Sequence, residues 1–269
     1  MVRIIFTGLI LVAVSFSPAW AQQTLILGQN NYSNQKGIIY SKEVSTDFRF
    51  HTNGAAFGMN FGKIRSVTRT SLFYVGLGEI KHPRETRQNR NFPIGGIGNF
   101  RGFIYGKQNN LFALRGGIGE KRYLSEKARR KGVAVGVSYE GGPTLGLLKP
   151  YYLVLRFEPA DFNLANYRGE RYSEDNADRF LSNDKIFGAD SFSKGLDEIS
   201  LLPGLHGKAS LHFDWGAFDE FVKAVETGVM IDFFFKSAPL LVEHESLTNN
   251  QNRAVFINLF ITLQLGKRS

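Results

Sequence analysis

Residues 253–269, RAVFINLFITLQLGKRS, decide the fold of this chain. Every second side chain from Val255 to Leu265 is a large aliphatic, whereas the side chains between them are mixed and include Phe256 and Gln264. Such alternation is typical of a β-strand, because neighbouring side chains point to opposite faces. We therefore expect a terminal strand with one face toward an apolar medium and the other toward a more polar interior.

The same two-residue period continues through most of the chain beyond residue 35. In KASLHFDWG (208–216), for example, Leu211 and Phe213 share one face and Ser210 and His212 share the other. The period predicts about ten strands. They lie near 37–51, 55–65, 67–81, 99–107, 110–123, 132–142, 147–157, 203–215, 222–237 and 253–267.

The links between these strands alternate in length. Short links are expected at 66–67, 106–110, 140–143 and 216–221, and long polar links at 82–98, 125–132, 158–202 and 242–252. Transmembrane barrels have short periplasmic turns on one rim and long loops on the other. We therefore predict an all-β fold, a closed antiparallel transmembrane β-barrel of about 10 strands (roughly 8–12) with long extracellular loops. A water-soluble β-sandwich or barrel is the alternative, since it also alternates but buries its apolar face.

The first 21 residues, MVRIIFTGLILVAVSFSPAWA, have the anatomy of a secretory signal peptide. A basic residue precedes an apolar run, which ends before the small-x-small triplet Ala19-Trp20-Ala21. We expect residues 22–35 to form an N-terminal periplasmic segment and 36–269 to form the barrel domain in a Gram-negative outer membrane. The chain contains no cysteine, which excludes a disulfide framework and a lipoprotein anchor.

Composition agrees with this interpretation. The chain has 24 Phe, 10 Tyr and 29 Gly but only 8 Pro, and its formal net charge is +9. For an exported protein, a basic surplus indicates contact with anionic lipid rather than with nucleic acid.

Two segments carry a family resemblance: 202–241, LPGLHGKASLHFDWGAFDEFVKAVETGVMIDFFFKSAPLL, and 255–268, VFINLFITLQLGKR. They resemble small outer-membrane β-barrel proteins of Bacteroidota, and the likeness weakens toward the first seven predicted strands. The resemblance implies the barrel fold and the location. It implies no biochemical activity.

The predicted strands direct charged side chains of both signs into the barrel. These candidate lumen residues are Glu43, Asp47, Arg49, Arg115, Lys121, Glu140, Lys208, His212, Asp214, Glu226 and Asp232. Charges in a confined lumen are expected to pair, because an unpaired buried charge is costly. The network either plugs a rigid barrel or lines a selective conduit or binding pocket.

Two predicted loops are rich in basic residues. Their candidate contacts with lipopolysaccharide phosphates are Arg84, Arg87, Arg90, Lys127, Arg129, Arg130 and Lys131. If both loops are extracellular, they form one basic crown that binds phosphate through charge-assisted hydrogen bonds; simple solvation of the loop charges is the alternative. The link 158–202 is long and aromatic, so it is expected to fold as a cap or to offer a partner surface, and a calcium site among its carboxylates is left open.

No catalytic motif stands out. His212 and Asp214 share a strand face and could activate a water, but an ion-pair role is the simpler interpretation. His82, His206 and His244 lack metal-ligand spacing, so no metal site and no cofactor are predicted. The expected function is a structural or interaction role, for instance as an accessory subunit of an envelope complex; a narrow solute channel and a rim hydrolase are the alternatives. Expected partners are membrane lipid, lipopolysaccharide, the assembly machinery and a protein that contacts 158–202.

Overall fold

The computed structural model describes residues 40–89, 101–124, 132–157, 167–215, 219–243 and 252–269. Eight antiparallel strands form a closed barrel in the order β1-β13-β12-β11-β7-β6-β3-β2. Their bounds are β1 Lys42–His51, β2 Gly54–Ser66, β3 Arg69–Ile80, β6 Asn109–Tyr123, β7 Ala134–Pro150, β11 Ser200–Asp214, β12 Phe221–Ala238 and β13 Arg253–Arg268. The last strand pairs with the first from Glu43↔Arg268 to His51↔Phe260, so the sheet has no open edge.

The barrel wall is apolar outside and polar inside. On β13 the aliphatic set faces outward, with Ile257 and Leu259 each 62% exposed, while Asn258 and Thr262 are fully buried. Large apolar side chains also cover the outer faces of β1, β2, β3 and β12. A soluble protein would bury these side chains, whereas a barrel in lipid exposes them to hydrocarbon. The transmembrane interpretation is therefore confirmed, and the water-soluble alternative is wrong.

The barrel has eight strands, two fewer than the central expectation of about ten and within the predicted range of 8–12. In the described part of the stretch 99–107, residues 101–107, the one strand is β5 (Phe103–Ile104), which pairs with β4 (Arg87–Gln88) in a separate two-stranded sheet. The supposed turn 140–143 lies within β7, which runs without a break from Ala134 to Pro150. The stretch 147–157 is consequently divided between the end of β7 and β8 (Tyr152–Arg156), which leaves the barrel.

This recount changes which links share a rim. We define the terminal rim as the end where β1 begins and β13 ends, and the long-loop rim as the opposite end. Three links join strands at the terminal rim: 67–68, 124–133 and 215–220. Four links join strands at the long-loop rim: 52–53, 81–108, 151–199 and 239–252. The basic link 125–132 therefore joins strands at the rim opposite 82–98, and the prediction of one shared basic crown is wrong.

The long links form a small folded cap above the long-loop rim. Its centre is a three-stranded sheet of β8, β9 (Tyr167–Arg171) and β10 (Ile186–Ala189), with short helical turns at Glu174–Asn176, Ala177–Phe180 and Asn183–Lys185. Phe103, Phe180 and Val242, from three different links, are buried in one apolar cluster with residues of this sheet. No helix among the described residues is long and apolar enough to cross a membrane.

Tyr74 shows how the narrow interior is packed. Its ring lies against the inner faces of β2 and β3, where Gly58 and Gly76 leave the necessary space. A Cβ on Gly58 would come within 2.6 Å of the ring, and a Cβ on Gly76 would overlap the hydroxyl group. Arg49 lies over the other face of the ring, 5.1 Å from its centroid. These glycines are therefore required by a neighbouring side chain rather than by a turn.

Candidate functional site in the barrel interior

All eleven candidate lumen residues lie on barrel strands with their side chains buried in the interior. None is more than 5% exposed. The interior consists of three levels between the rims: an ion-pair chain, an isolated ion pair, and an apolar layer. Each level restricts passage through the lumen in a different way.

The first level is a continuous chain of ionisable side chains, in which basic and acidic residues alternate, and it starts at the terminal rim. Its successive distances are Lys121–Glu43 2.8 Å, Glu43–Arg268 2.9 Å, Arg268–Asp214 2.7 Å, Asp214–His212 3.9 Å, His212–Glu226 3.0 Å, Glu226–Lys208 3.0 Å, Lys208–Glu140 3.0 Å, Glu140–Arg49 3.8 Å and Arg49–Asp47 3.4 Å. Six of the eight strands contribute a member. The chain therefore crosses the lumen and connects strands that are not neighbours in the sheet.

Neutral polar groups add further hydrogen bonds to members of this chain. Asp47 accepts hydrogen bonds from the Asn60 amide at 2.7 Å and the Gln264 amide at 2.9 Å. Arg49 donates from Nε to Thr262 at 3.1 Å. The Tyr123 hydroxyl donates to Asp214 at 2.7 Å. Buried carboxylates and guanidinium groups are stabilised only when their remaining hydrogen-bonding positions are filled in this way.

The second level is the pair formed by Arg115 of β6 and Asp232 of β12. Arg115 donates from Nε at 2.7 Å and from Nη2 at 3.0 Å to the two carboxylate oxygens, and both side chains are fully buried. Such a bidentate pair fixes both distance and orientation. Because β6 and β12 are not neighbours, the pair ties opposite walls of the barrel together.

The third level is an apolar layer directly below the cap. It comprises Ile80, Leu111, Ala113, Leu148, Leu202, Phe234, Ala238, Leu240 and Phe256. The rings of Phe234 and Phe256 meet edge to face with centroids 6.0 Å apart. The residues come from six barrel strands and from the link after β12, so the layer extends across the lumen at the long-loop rim.

Sequence reasoning missed Arg268, which joins Glu43 to Asp214. Its parity on β13, however, is that of Gln264 and Thr262, both of which face inward. Strand parity alone was therefore sufficient to place Arg268 in the lumen.

His212 is an interior member of the ion-pair chain. Its Nδ1 lies 3.0 Å from Glu226 and its Nε2 lies 3.9 Å from Asp214, and the side chain has no exposed surface. Ser210 on the same face donates its hydroxyl to the Ser138 carbonyl at 3.3 Å. His206 lies within β11 rather than near a strand end, with Nδ1 3.0 Å from the Thr144 hydroxyl. No group of three or more His, Cys, Asp or Glu side chains in the described ranges is placed to hold a metal ion.

The cap has its own polar contacts. Tyr152 donates to Glu198 at 2.9 Å, and Arg171 pairs with the same carboxylate at 2.7 Å. Burial opposes ionisation of Asp190, but the Lys194 ammonium at 2.9 Å outweighs it and lowers the pKa of that carboxyl. Burial raises the pKa of the Tyr151 hydroxyl, which accepts a hydrogen bond from the Ile104 amide.

Of the candidate phosphate ligands, Arg84 and Arg87 lie exposed at the long-loop rim. Arg90, Lys127, Arg129, Arg130 and Lys131 lie outside the described residues, as do His244, the expected signal peptide and residues 22–35. Phe157 of the cap is enclosed by two guanidinium groups, with Arg179 4.0 Å and Arg168 5.2 Å from its ring centroid. The exposed surface of the cap thus combines aromatic and charged groups.

No family model matches the chain, and no curated protein matches it. Among solved structures, the chain is similar to Ail, the attachment invasion locus protein of Yersinia pestis, solved in complex with the heparin analogue sucrose octasulfate. The match has 8% sequence identity and a TM-score of 0.34, and it covers 85% of this chain and 95% of that chain. A likeness of this degree indicates nothing about function.

Proposed function

We propose that the chain is an integral outer-membrane β-barrel that acts as a closed anchor and displays the cap to a protein partner outside the membrane. The observation that supports this proposal most directly is the filled lumen. An ion-pair chain, the Arg115–Asp232 pair and an apolar layer follow one another between the two rims. A pathway for solutes would have to separate all three.

The orientation follows from the rims. In outer-membrane barrels the short turns are periplasmic and the long loops are extracellular, so we propose that the cap lies outside and the terminal rim in the periplasm. Arg84 and Arg87 then lie at the height of lipopolysaccharide phosphates, and we propose that they bind them. The same proposal includes export by a signal peptide, which is supported by the pattern of residues 1–21. It also includes membership in the Bacteroidota group, which is supported by the likeness of 202–241 and 255–268.

The first prediction concerns conductance. Purified protein in a planar bilayer is expected to show no current above background, because the lumen is filled from the terminal rim to the cap. A variant in which a two-residue Asn-Gly turn replaces 151–199 is likewise expected to show no current above background. The barrel ends tolerate this change, since Leu148 and Ser200 are paired neighbours in adjacent strands. Discrete current steps from the full chain would favour the narrow-channel alternative, and steps from the shortened chain alone would mean that the cap closes a pore.

The second prediction concerns the partner. Phe192 and Leu196 of the cap are 57% and 49% exposed, so they present apolar surface that a partner could cover. The variant Phe192→Ser/Leu196→Ser is expected to lose most co-purifying protein in a mild-detergent pull-down. The matched variant Asp184→Ser/Lys185→Ser, also on the cap, is expected to retain it. If the wild-type protein elutes as one band with no companion, the accessory-subunit role is incorrect.

A rim hydrolase is less well supported by the geometry, because His212 is enclosed by carboxylates and has no exposed surface. We propose a non-enzymatic role. The corresponding check is assay of lipid and peptide hydrolysis by the purified protein beside His212→Ala. An activity that disappears in the variant would contradict the proposal.

A further inference from the structure

The outer wall carries a belt of basic side chains at the terminal rim. Seven exposed Lys and Arg residues point away from the lumen there: Lys42, Lys63, Arg65, Arg69, Arg122, Lys223 and Lys267. They come from β12, β13, β1, β2, β3 and β6, which are consecutive around the barrel. We refer to these seven residues as the basic belt.

The belt has few internal counter-charges. Glu120 pairs with both Arg69 and Arg122, and Glu220 pairs with Lys267 at 2.9 Å. Within the described part of the chain, Lys42, Lys63, Arg65 and Lys223 take part in no ion pair. Lys42 and Lys63 are even direct register partners on neighbouring strands. Like charges placed opposite each other destabilise a sheet unless an external anion lies between them.

The belt is also continuous with the apolar wall. Along the outer face of β13, the exposed Leu263 and Leu265 are followed directly by Lys267. Along the outer face of β1, Lys42 at the rim is followed by the exposed Val44. A lysine or arginine in this position can lay its aliphatic stem on hydrocarbon and extend its charge to the headgroups. The chemistry at that height is the phosphate of a phospholipid. The outward basic residues at the long-loop rim are fewer, and Lys81 there is already paired with Glu79 at 3.3 Å.

From this arrangement we infer that the basic belt selects anionic phospholipid headgroups in the leaflet that surrounds the terminal rim. The inference rests on the proposed membrane embedding and names the lipid class that the barrel recruits. The unpaired cations Lys42, Lys63, Arg65 and Lys223 are the principal ligands, with phosphate bound by charge-assisted hydrogen bonds. Arg69 and Arg122 share one carboxylate, so each retains donors for a second anion.

Trp215 provides a reporter for this lipid shell. It is 49% exposed at the terminal rim, and its backbone amide donates to the Lys223 carbonyl at 2.9 Å. The chain has 2 Trp, so Trp20→Phe leaves Trp215 as the single tryptophan, which is excited selectively at the red edge of its absorption. The protein is reconstituted into vesicles in which either phosphatidylglycerol or phosphatidylcholine carries brominated acyl chains, at equal mole fraction and low salt. Quenching then measures which lipid occupies the belt.

Brominated phosphatidylglycerol is expected to quench Trp215 several-fold more effectively than brominated phosphatidylcholine, an advantage that is lost at high salt. The variant Lys42→Gln/Lys63→Gln/Arg65→Gln/Lys223→Gln is expected to remove most of that preference. The control Lys236→Gln/Arg253→Gln, at the long-loop rim, is expected to preserve it. Retention of the unboiled gel mobility shows that each variant is folded.

The outcomes separate the two proposals. Equal quenching by both lipids in the wild-type chain leaves the membrane embedding intact and overturns the headgroup selection. Loss of preference in the control as well as in the belt variant also overturns it, because the effect is then one of net charge. Absence of quenching by either lipid overturns the embedding itself.

Discussion

Replacing Arg115 by Leu is expected to destabilise the barrel by about 3–5 kcal/mol, because it leaves the Asp232 carboxylate buried without a counter-charge. Asp232 receives two hydrogen bonds from Arg115, and both side chains are inaccessible to solvent. No other ion pair of the described residues includes either of them, so the effect belongs to this pair alone. Urea unfolding in lipid vesicles, followed by the unboiled gel mobility, measures the loss.

The double variant Arg115→Leu/Asp232→Leu separates an unpaired charge from a general packing defect. With both charges removed, no carboxylate is left without a partner, and the free energy of unfolding is expected to recover by at least half of the loss. A double variant that unfolds as readily as Arg115→Leu would show that the volume and shape of the arginine, rather than its charge, hold the opposite walls together.

The second large effect concerns Gly76. A Cβ there would overlap the Tyr74 hydroxyl, and the ring cannot move aside easily because Arg49 lies on its other face and Gly58 is within contact of its edge. Gly76→Ala is therefore expected to destabilise the barrel by about 1–3 kcal/mol, the usual cost of overpacking. The same urea titration detects the shift.

Two further variants test whether the collision with Tyr74 causes the destabilisation by Gly76→Ala. Adding Tyr74→Ala vacates the closest colliding atoms but leaves the Phe57 carbonyl oxygen 3.0 Å from the added Cβ, so most of the additional penalty of Gly76→Ala is expected to be lost in the Tyr74→Ala background. Gly116→Ala on the outer face of β6 is expected to be almost neutral, since the nearest atom to its Cβ would be 4.0 Å away. If Gly116→Ala were as harmful as Gly76→Ala, the loss would stem from glycine in strands generally and not from Tyr74.

Strand parity was readable from sequence and placed the lumen charges on the correct face. It did so because a one-residue slip would exchange every side chain between lipid and interior, so the alternation is preserved along each strand. Lys208, His212 and Asp214 follow this rule on β11, as Val255 to Leu265 do on β13. The pairing of particular charges was not readable, because it depends on which strands face each other across the lumen.

The predicted strands differ from the observed strands where a turn-like sequence lies within a strand. Gly141, Gly142 and Pro143 have the composition of a turn, yet inward-facing residues continue at even positions from Ser138 to Gly146. A Cβ on Gly142 would collide with the backbone of Gly116 on β6, so glycine here permits close strand approach. The ladder between β6 and β7 omits residues 142–143 and resumes in the same register. Local composition could not distinguish this arrangement from a hairpin.

The error had a consequence for function. The extra crossing predicted at 99–107 reversed the direction of the next strand, and so assigned the basic link 125–132 to the same rim as Arg84 and Arg87. The second extra crossing, from the division of β7, restored the direction of the later strands. The belt at the terminal rim escaped notice for a related reason. Its members are single residues at the ends of six strands, and only the closed barrel brings them side by side.

The position of Arg268 on β13, the strand that closes the barrel against β1, links completion of the interior to joining of the sheet. The Glu43 carboxylate is on the first barrel strand and its Arg268 partner is on the last, and the backbone of Ser269 bonds to Ser41 and Lys42 at the same place. A half-inserted chain whose outer strands have not met therefore holds two carboxylates, Glu43 and Asp214, that lack this guanidinium. Removal of Arg268 and Ser269 would leave every outward aliphatic side chain of β13 in place, but it would remove the ion pair that joins β13 to Glu43 of β1.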